Sequence, residues 1–203
     1  MKVHTFGIPI FEYNIKEDTS DLLSYQGGVS NSKNSQSAIS SHLFEVLEEY
    51  KNIKKIFTDF FNDFAYHELG IDSKFMISTS WITHTETGQD SNIHDHKNCF
   101  FSGVYYFDDR YDEDAGKLVF NNPIKKFTSF SFDYITVNPL NKNAIQITPK
   151  PKKLVLFPSY LDHYVSIHHS KIERKSLAFN FVPIGDYGVV DSSFKQSWYN
   201  RDN

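Results

Sequence analysis

Two histidines one residue apart, His94 and His96, with Asp95 between them, combine a reactive residue type with a chemically useful spacing. Side chains alternate faces along an extended chain, so in β conformation both imidazoles point one way and Asp95 the other. Two imidazoles on one face can close on a single ion. Imidazole nitrogen suits iron, copper, nickel or zinc, whereas calcium and magnesium take oxygen. In a chain with nine histidines a His-x-His pair is by itself a weak signal, and a solvated or core pair is the plainer account. A third candidate, His163, lies far downstream. It follows the buried apolar run Leu154-Val-Leu-Phe and a Pro-containing turn, and it opens the next strand.

Eleven residues beyond His163, Arg174 begins Arg-Lys-Ser-Leu-Ala-Phe-Asn-Phe. In a strand, Arg174, Ser176, Ala178 and Asn180 share one face, and Lys175, Leu177, Phe179 and Phe181 share the other. A guanidinium and a hydroxyl turned into an aromatic interior are costly unless paired. One face is therefore expected to receive an anion, and a guanidinium holds a carboxylate in bidentate fashion. The competing account is an arginine paired with a protein acid such as Glu113 or Asp133.

The elements that must position these groups follow from composition and pattern. The chain has 203 residues, enough for one domain with a real core and few for two. A net charge of -4 and a pI near 6.1 leave no basic footprint, so neither nucleic acid nor an anionic membrane is suggested as a partner. The single cysteine, Cys99, excludes an internal disulfide framework and fits a reducing compartment. No apolar run approaches membrane-spanning length, and the N-terminus lacks a signal-peptide layout, so a soluble cytoplasmic protein is expected. Nineteen Phe and twelve Tyr favour a strand-rich fold with an aromatic core.

Residues 3–15, interrupted by Pro9, read as an edge strand or extended arm, and the polar stretch 16–36 as a loop or lid. From Ile39 to Phe64 apolar residues recur at three- and four-residue steps. That pattern predicts one supporting helix, or two broken near Asn52, starting behind a serine cap and stopping at Gly70. Beyond Gly70 the period changes. Strands are expected over 74–86, 100–107, 118–120, 128–137, 144–147, 154–157, 163–167 and 174–182, separated by turn-rich segments. The expected fold class is mainly β with flanking helices: a closed jelly-roll or double-stranded β-helix barrel supported by N-terminal helices. The expected organisation is one domain over 1–203, with arm, loop and helices over 1–70, the β core over 71–186 and a tail over 187–203.

The order His94-x-His96, Ser-Gly-Val-Tyr-Tyr-Phe, Gly116-Lys-Leu-Val-Phe120, Leu-Val-Leu-Phe-Pro-Ser-x-x-x-His163-x-Val and Arg174-x-Ser176 resembles the 2-oxoglutarate/Fe(II)-dependent dioxygenase superfamily. It is most similar to a prolyl-hydroxylase-like, uncharacterised His-x-His branch. The N-terminal Val-Ser-Asn-Ser, the following Ser-Gln-Ser and the Ser80-Trp81 strand extend the likeness over nearly the whole chain. The resemblance implies an enzyme that hydroxylates a substrate while 2-oxoglutarate is decarboxylated to succinate. The implied cofactors are Fe(II) and 2-oxoglutarate, with O2 consumed and the substrate a small molecule or a protein side chain. The same likeness makes His94, His96 and His163 the iron ligands, and Arg174 with Ser176 the clamp for the distal carboxylate of 2-oxoglutarate. Tyr106 becomes a second donor to that carboxylate. The superfamily's usual pattern is His-x-Asp/Glu, but position 96 is histidine, and Asp95 stands one residue early. Asp95 could replace His96 only through a bend or bulge.

The chain is also similar to the two cupin motifs, with Gly88, His94-x-His96 and Pro158 ahead of His163. It lacks the glutamate that cupins place after His-x-His, and carries Tyr160 where they have glycine. The alternative function is thus a cupin-like metal-binding barrel, a sensor or a three-histidine dioxygenase, that does not use 2-oxoglutarate. Arg174 with Ser176 separates the two, because a barrel without a 2-oxo acid has no need of an inward anion clamp. Plainer roles are expected elsewhere: His84 structural, His168 and His169 solvated in a turn, Cys99 a small strand residue, and Lys150–Lys153 a solvated loop. Asn180 is left between touching substrate and capping a buried network. Phe127, Phe130, Phe132, Tyr134 and Ile135 are left between a pocket wall and edge-strand packing.

Overall fold

Short stretches rich in β-branched and aromatic residues dominate the chain from Lys74 onward, and they form strands in the computed structural model. It describes residues 7–25, 29–31, 39–41, 44–123, 133–138 and 141–196. The strands are β1 (Phe11–Asn14), β2 (Val29–Asn31), β3 (Ile39–Ser41), β4 (Lys74–Thr85), β5 (Phe101–Tyr105), β6 (Leu118–Asn121), β7 (Ala144–Ile147), β8 (Lys153–Pro158), β9 (His163–Val165) and β10 (Arg174–Ile184). A seven-stranded antiparallel sheet runs β1-β8-β5-β10-β4-β3-β2, and a three-stranded antiparallel sheet runs β7-β6-β9. One α-helix, α1 (Lys51–His67), is present among the described residues, with short 3-10 turns at Ser20–Ser24, Val46–Glu48 and Val190–Ser192.

The central strands of the large sheet are buried on both faces, which divides the interior into two cores. On one face, α1 lays down Ile53, Phe57, Phe61 and Phe64, spaced at one helical face. Phe61 stacks on Phe181 at 3.8 Å between centroids, and Phe57 stacks on Phe179 at 4.8 Å. On the other face, Val104, Val155, Phe157 and Ala178 meet Leu118, Phe120 and Ile147 of the small sheet, with Phe120 edge-on to Phe157. Gly103 sits where β5 passes β10. A Cβ there would lie 2.4 Å from the ring of Phe179, so any larger residue forces that ring to shift.

The expected N-terminal helices are largely replaced. Ile39–Ser41 is a strand, pairing Ile39 with His84 and Ser40 with Thr83, and only the stretch from Lys51 is α-helical. The cause is tertiary. The Leu47 amide donates to the Ser80 hydroxyl at 2.9 Å and the Ser80 amide to the Phe44 carbonyl at 2.8 Å, tying this segment to β4. Those bonds replace helical ones, and they bury Val46 and Leu47 in a 3-10 turn. The N-cap of α1 is Tyr50, with no side-chain cap, rather than a serine. Gly70 follows the helix at φ +67°, the left-handed conformation that the sequence reading required for a stop. The polar stretch 16–36 holds a 3-10 turn and β2, with residues 26–28 and 32–36 outside the described ones. Of the expected strand 128–137, residues 133–137 carry bends only, and 128–132 lie outside the described residues.

Strand β10 is the sheet's axis, flanked by β4 and β5. Its alternation holds as read, but its pairing with β4 shifts after Asn180: Asn180 faces Thr79 and Phe181 faces Ile77. Ser78 is the extra residue of this bulge, and its hydroxyl donates to the Asn180 carbonyl at 3.3 Å.

Candidate metal and anion site

His94 and His163 face each other across an isolated antiparallel bridge, each amide donating to the other's carbonyl at 3.0 and 2.9 Å. His96 is placed by its own amide, which donates to the Ser159 carbonyl at 2.9 Å. These backbone ties bring the three rings to centroid separations of 4.4 to 5.3 Å, and one ligand atom from each lies within 4.8 Å of the other two. Asp95 is not part of the group. Its carboxylate is ion-paired to Lys97.

Each of the three rings spends Nδ1 on an oxygen that can only accept. His94 donates to the Asn92 carbonyl, His163 to the Leu161 carbonyl and His96 to the Asn180 side-chain oxygen, all at 2.8 Å. That fixes the Nδ1–H tautomer and leaves Nε2, a neutral donor, for an ion. Burial, with the neighbouring His94 ring second, lowers the pKa of His96 to about 4 and that of His163 to about 3. Both rings are therefore uncharged at neutral pH, as ligation requires. Trp81 stacks on His96 at 5.3 Å, so that ring is packed rather than solvated. Three imidazoles converging with Nε2 available fit a transition metal.

Arg174 is 1% exposed. Its Nη1 donates to the Ser176 hydroxyl at 3.1 Å and its Nη2 to the Tyr106 hydroxyl at 3.2 Å, and the guanidinium lies 5.1 Å from the Tyr106 ring centre. Among the described residues no carboxylate pairs with it, neither Glu113 nor Asp133, and its Nε has no hydrogen-bond partner. Burial raises the Tyr106 phenol above its ordinary value, opposed by Arg174, so its proton stays available for donation. A buried cation with an orphaned donor fits an anion. Arg174 meets Tyr106, and His163 meets Phe120 and Phe157; these rings belong to one apolar cluster with Val104, Leu118 and Ala178.

Several residues differ from the sequence reading. His168 is fully buried, not solvated: it accepts from the Gly116 amide at 3.0 Å and donates to the Ile172 carbonyl at 2.8 Å. The turn signal Ser170-Lys171 beside it is real, but the imidazole serves as the internal bridge of that turn. His169 is exposed as expected, and His84 pairs with Glu173 at 2.7 Å. Of the basic loop, Lys150 and Lys152 are exposed, whereas Lys153 is half-buried against Glu12. Tyr134 and Ile135 are exposed, and Phe127, Phe130 and Phe132 lie outside the described residues. The roles of Ser102, Ser159 and Thr79 around Asn180 were not legible, because small hydroxyls in strands carry no spacing signal.

A protein-family model described as "Putative 2OG-Fe(II) oxygenase" matches residues 79–180, half of the chain and the part that carries both groups. The chain belongs to this family. It is thus an enzyme of a dioxygenase family whose cofactors are Fe(II) and 2-oxoglutarate. No curated protein matches it. Solved structures share its fold at low identity. A prolyl hydroxylase from Trichoplax adhaerens, in complex with a hypoxia-inducible-factor peptide, is 14% identical, with a TM-score of 0.58 and coverage of 85% of this chain and 82% of that one. HygX from Streptomyces hygroscopicus, with nickel, 2-oxoglutarate and hygromycin B bound, is 8% identical, with a TM-score of 0.58 and coverage of 87% and 83%. A prolyl-4-hydroxylase from Pseudomonas putida is 14% identical, with a TM-score of 0.55 and coverage of 88% and 94%. No helix among the described residues is long and apolar enough to cross a membrane.

Proposed function

We propose that this oxygenase couples the oxidative decarboxylation of 2-oxoglutarate, with O2, to hydroxylation of a small molecule or protein side chain. In this scheme His94, His96 and His163 hold Fe(II), and Arg174, Ser176 and Tyr106 hold the distal carboxylate of 2-oxoglutarate. The overall change is substrate, O2 and 2-oxoglutarate to hydroxylated substrate, succinate and CO2. When bound, the metal and the 2-oxo acid supply the activation of oxygen. The protein's residues supply placement. The guanidinium offers its unpaired donor to one carboxylate oxygen, the Tyr106 hydroxyl can turn its proton to another, and the apolar wall excludes water. The single observation that carries the proposal is Arg174, a buried cation without an acid partner among the described residues.

Two antiparallel sheets meeting across an apolar core, and neighbours of the same family fold, support a closed double-stranded β-helix barrel within a single domain over 1–203. A cytoplasmic location fits the lone thiol of Cys99. The three-histidine donor set, with Asp95 engaged elsewhere, favours a second reading: a cupin-like metal barrel, sensor or dioxygenase, that takes no 2-oxo acid.

An anaerobic Fe(II) titration followed by visible absorption separates the two. The proposal expects a charge-transfer band that needs both iron and 2-oxoglutarate, and that is lost in His94→Ala and His96→Ala. Iron binding that 2-oxoglutarate leaves unchanged refutes it in favour of the cupin-like barrel.

A further inference from the structure

Two of the three histidines are oriented by their own backbone. His94 and His163 each bond the carbonyl two residues earlier, Asn92 and Leu161, so their ring orientation is set locally. His96 differs. Its Nδ1 partner is the side chain of Asn180, 84 residues away on β10.

Asn180 is itself held at every polar atom. Its oxygen accepts from His96 and, at 2.7 Å, from the Ser102 hydroxyl. Its Nδ2 donates to Thr79 at 2.9 Å, and its backbone carbonyl accepts from Ser78 in the bulge. Ser102 in turn meets the Ser159 hydroxyl at 2.9 Å, and the Ser159 carbonyl holds the His96 amide. The circuit closes on His96 from both its ring and its backbone. With Nδ2 on Thr79 and Oδ1 shared between His96 and Ser102, Asn180 presents His96 with an acceptor. An amide turned the other way would donate to Nδ1, force the proton onto Nε2 and block ligation.

We propose that Asn180 is the positioning residue of the third ligand: it selects the Nδ1–H tautomer of His96 and aims Nε2 at the metal. It thereby makes a neutral histidine serviceable at the place where a carboxylate would need no such partner. The inference rests on His96 being a ligand, as in the proposed function, but not on the identity of the 2-oxo acid. Outer partners of this kind govern metal affinity by about 10- to 100-fold.

Co(II) serves as the probe, titrated by its visible ligand-field bands without 2-oxoglutarate, alongside 15N NMR of the metal-free histidine side chains. In the wild type His96 is expected as the Nδ1–H tautomer. Asn180→Leu is expected to mix tautomers and to weaken Co(II) by about 10- to 100-fold. Asn180→Asp retains the acceptor and is expected to bind Co(II) at least as tightly as the wild type, an outcome a merely structural asparagine would not give. Thr79→Val, which removes only the anchor of Nδ2, is expected to fall between. If Asn180→Leu keeps the wild-type tautomer and Co(II) affinity, the proposal is overturned. If Asn180→Leu does not fold, Asn180→Asp decides alone, and a weakened Co(II) site in that variant overturns it. The proposed function fails separately: 2-oxoglutarate that leaves the Co(II) spectrum of the wild type unchanged defeats the oxygenase reading and leaves the role of Asn180 standing.

Discussion

Replacing Arg174 by methionine should remove cosubstrate binding while leaving the ligand-free fold nearly as stable. Taking a guanidinium out of water costs several kcal/mol even after relaxation. Against this the structure sets two hydrogen bonds to neutral hydroxyls, each about 1.5–3 kcal/mol for a charged donor, and a ring contact of about 2 kcal/mol. The terms nearly cancel, so the unfolding free energy of Arg174→Met without 2-oxoglutarate should stay within about 2 kcal/mol of the wild type. An arginine in a buried ion pair would lose about 3–5 kcal/mol. With 2-oxoglutarate at 100 times its Kd, the metal-loaded wild type gains about 2.7 kcal/mol. For a chain of this length that is a rise in Tm of roughly 5–10 °C. The variant should gain nothing. Thermal and urea unfolding of both proteins, with Co(II) and with or without 2-oxoglutarate, read all four values. A variant that loses 3–5 kcal/mol yet keeps the 2-oxoglutarate shift would refute the reasoning and make Arg174 structural.

Other expectations concern the metal, the pH and the core. Because Trp81 stacks on His96, Cu(II) or Co(II) binding should quench tryptophan fluorescence, and Trp81→Phe should abolish most of that quench while a binding assay still shows metal uptake. The folded pKa values of His96 and His163 lie below the ordinary histidine value, so between that value and about 4 the unfolded chain binds more protons than the folded one. Stability of the metal-free protein should therefore fall as pH drops from 7 to 5, by roughly 2 kcal/mol per ring. Urea midpoints that are flat over that range would contradict the neutral, buried rings. Gly103→Ala forces a methyl against Phe179 and should cost about 1–3 kcal/mol in urea unfolding. An unchanged midpoint there would show that the β5–β10 crossing can open.

Much of the site was legible because chemistry and period coincide there. His94 and His96 stand out by their one-residue spacing in a polar segment that forms no strand, His163 opens β9 behind an apolar run, and the alternation from Arg174 to Asn180 survives in β10 because the bulge falls on β4 instead. Strand β4 and the strands from β5 onward were readable for the same reason, apart from 133–137. The segment before α1 was not. Its three- and four-residue apolar spacing satisfies a helix, and only the bonds to Ser80, visible in three dimensions, decide for strand and 3-10 turn. His168 was misread because a histidine beside Ser-Lys looks solvated, while its two backbone partners come from Gly116 and Ile172. Gly116 is close enough to matter: a Cβ there would stand 2.6 Å from the Ser166 carbonyl. The function of Asn180 was half visible, since its face was known but its partner was not.

The place of β10 in the sheet has a further consequence. The strand lies between β4 and β5 and is buried from Ser176 to Phe181, so its amides should exchange with solvent only when the whole molecule opens. Asn180 rides on the stretch paired on both sides, whereas Arg174 opens the strand and is paired to β4 alone. The floor beneath His96 is accordingly preformed, and metal should enter and leave without any ordering or unfolding of β10.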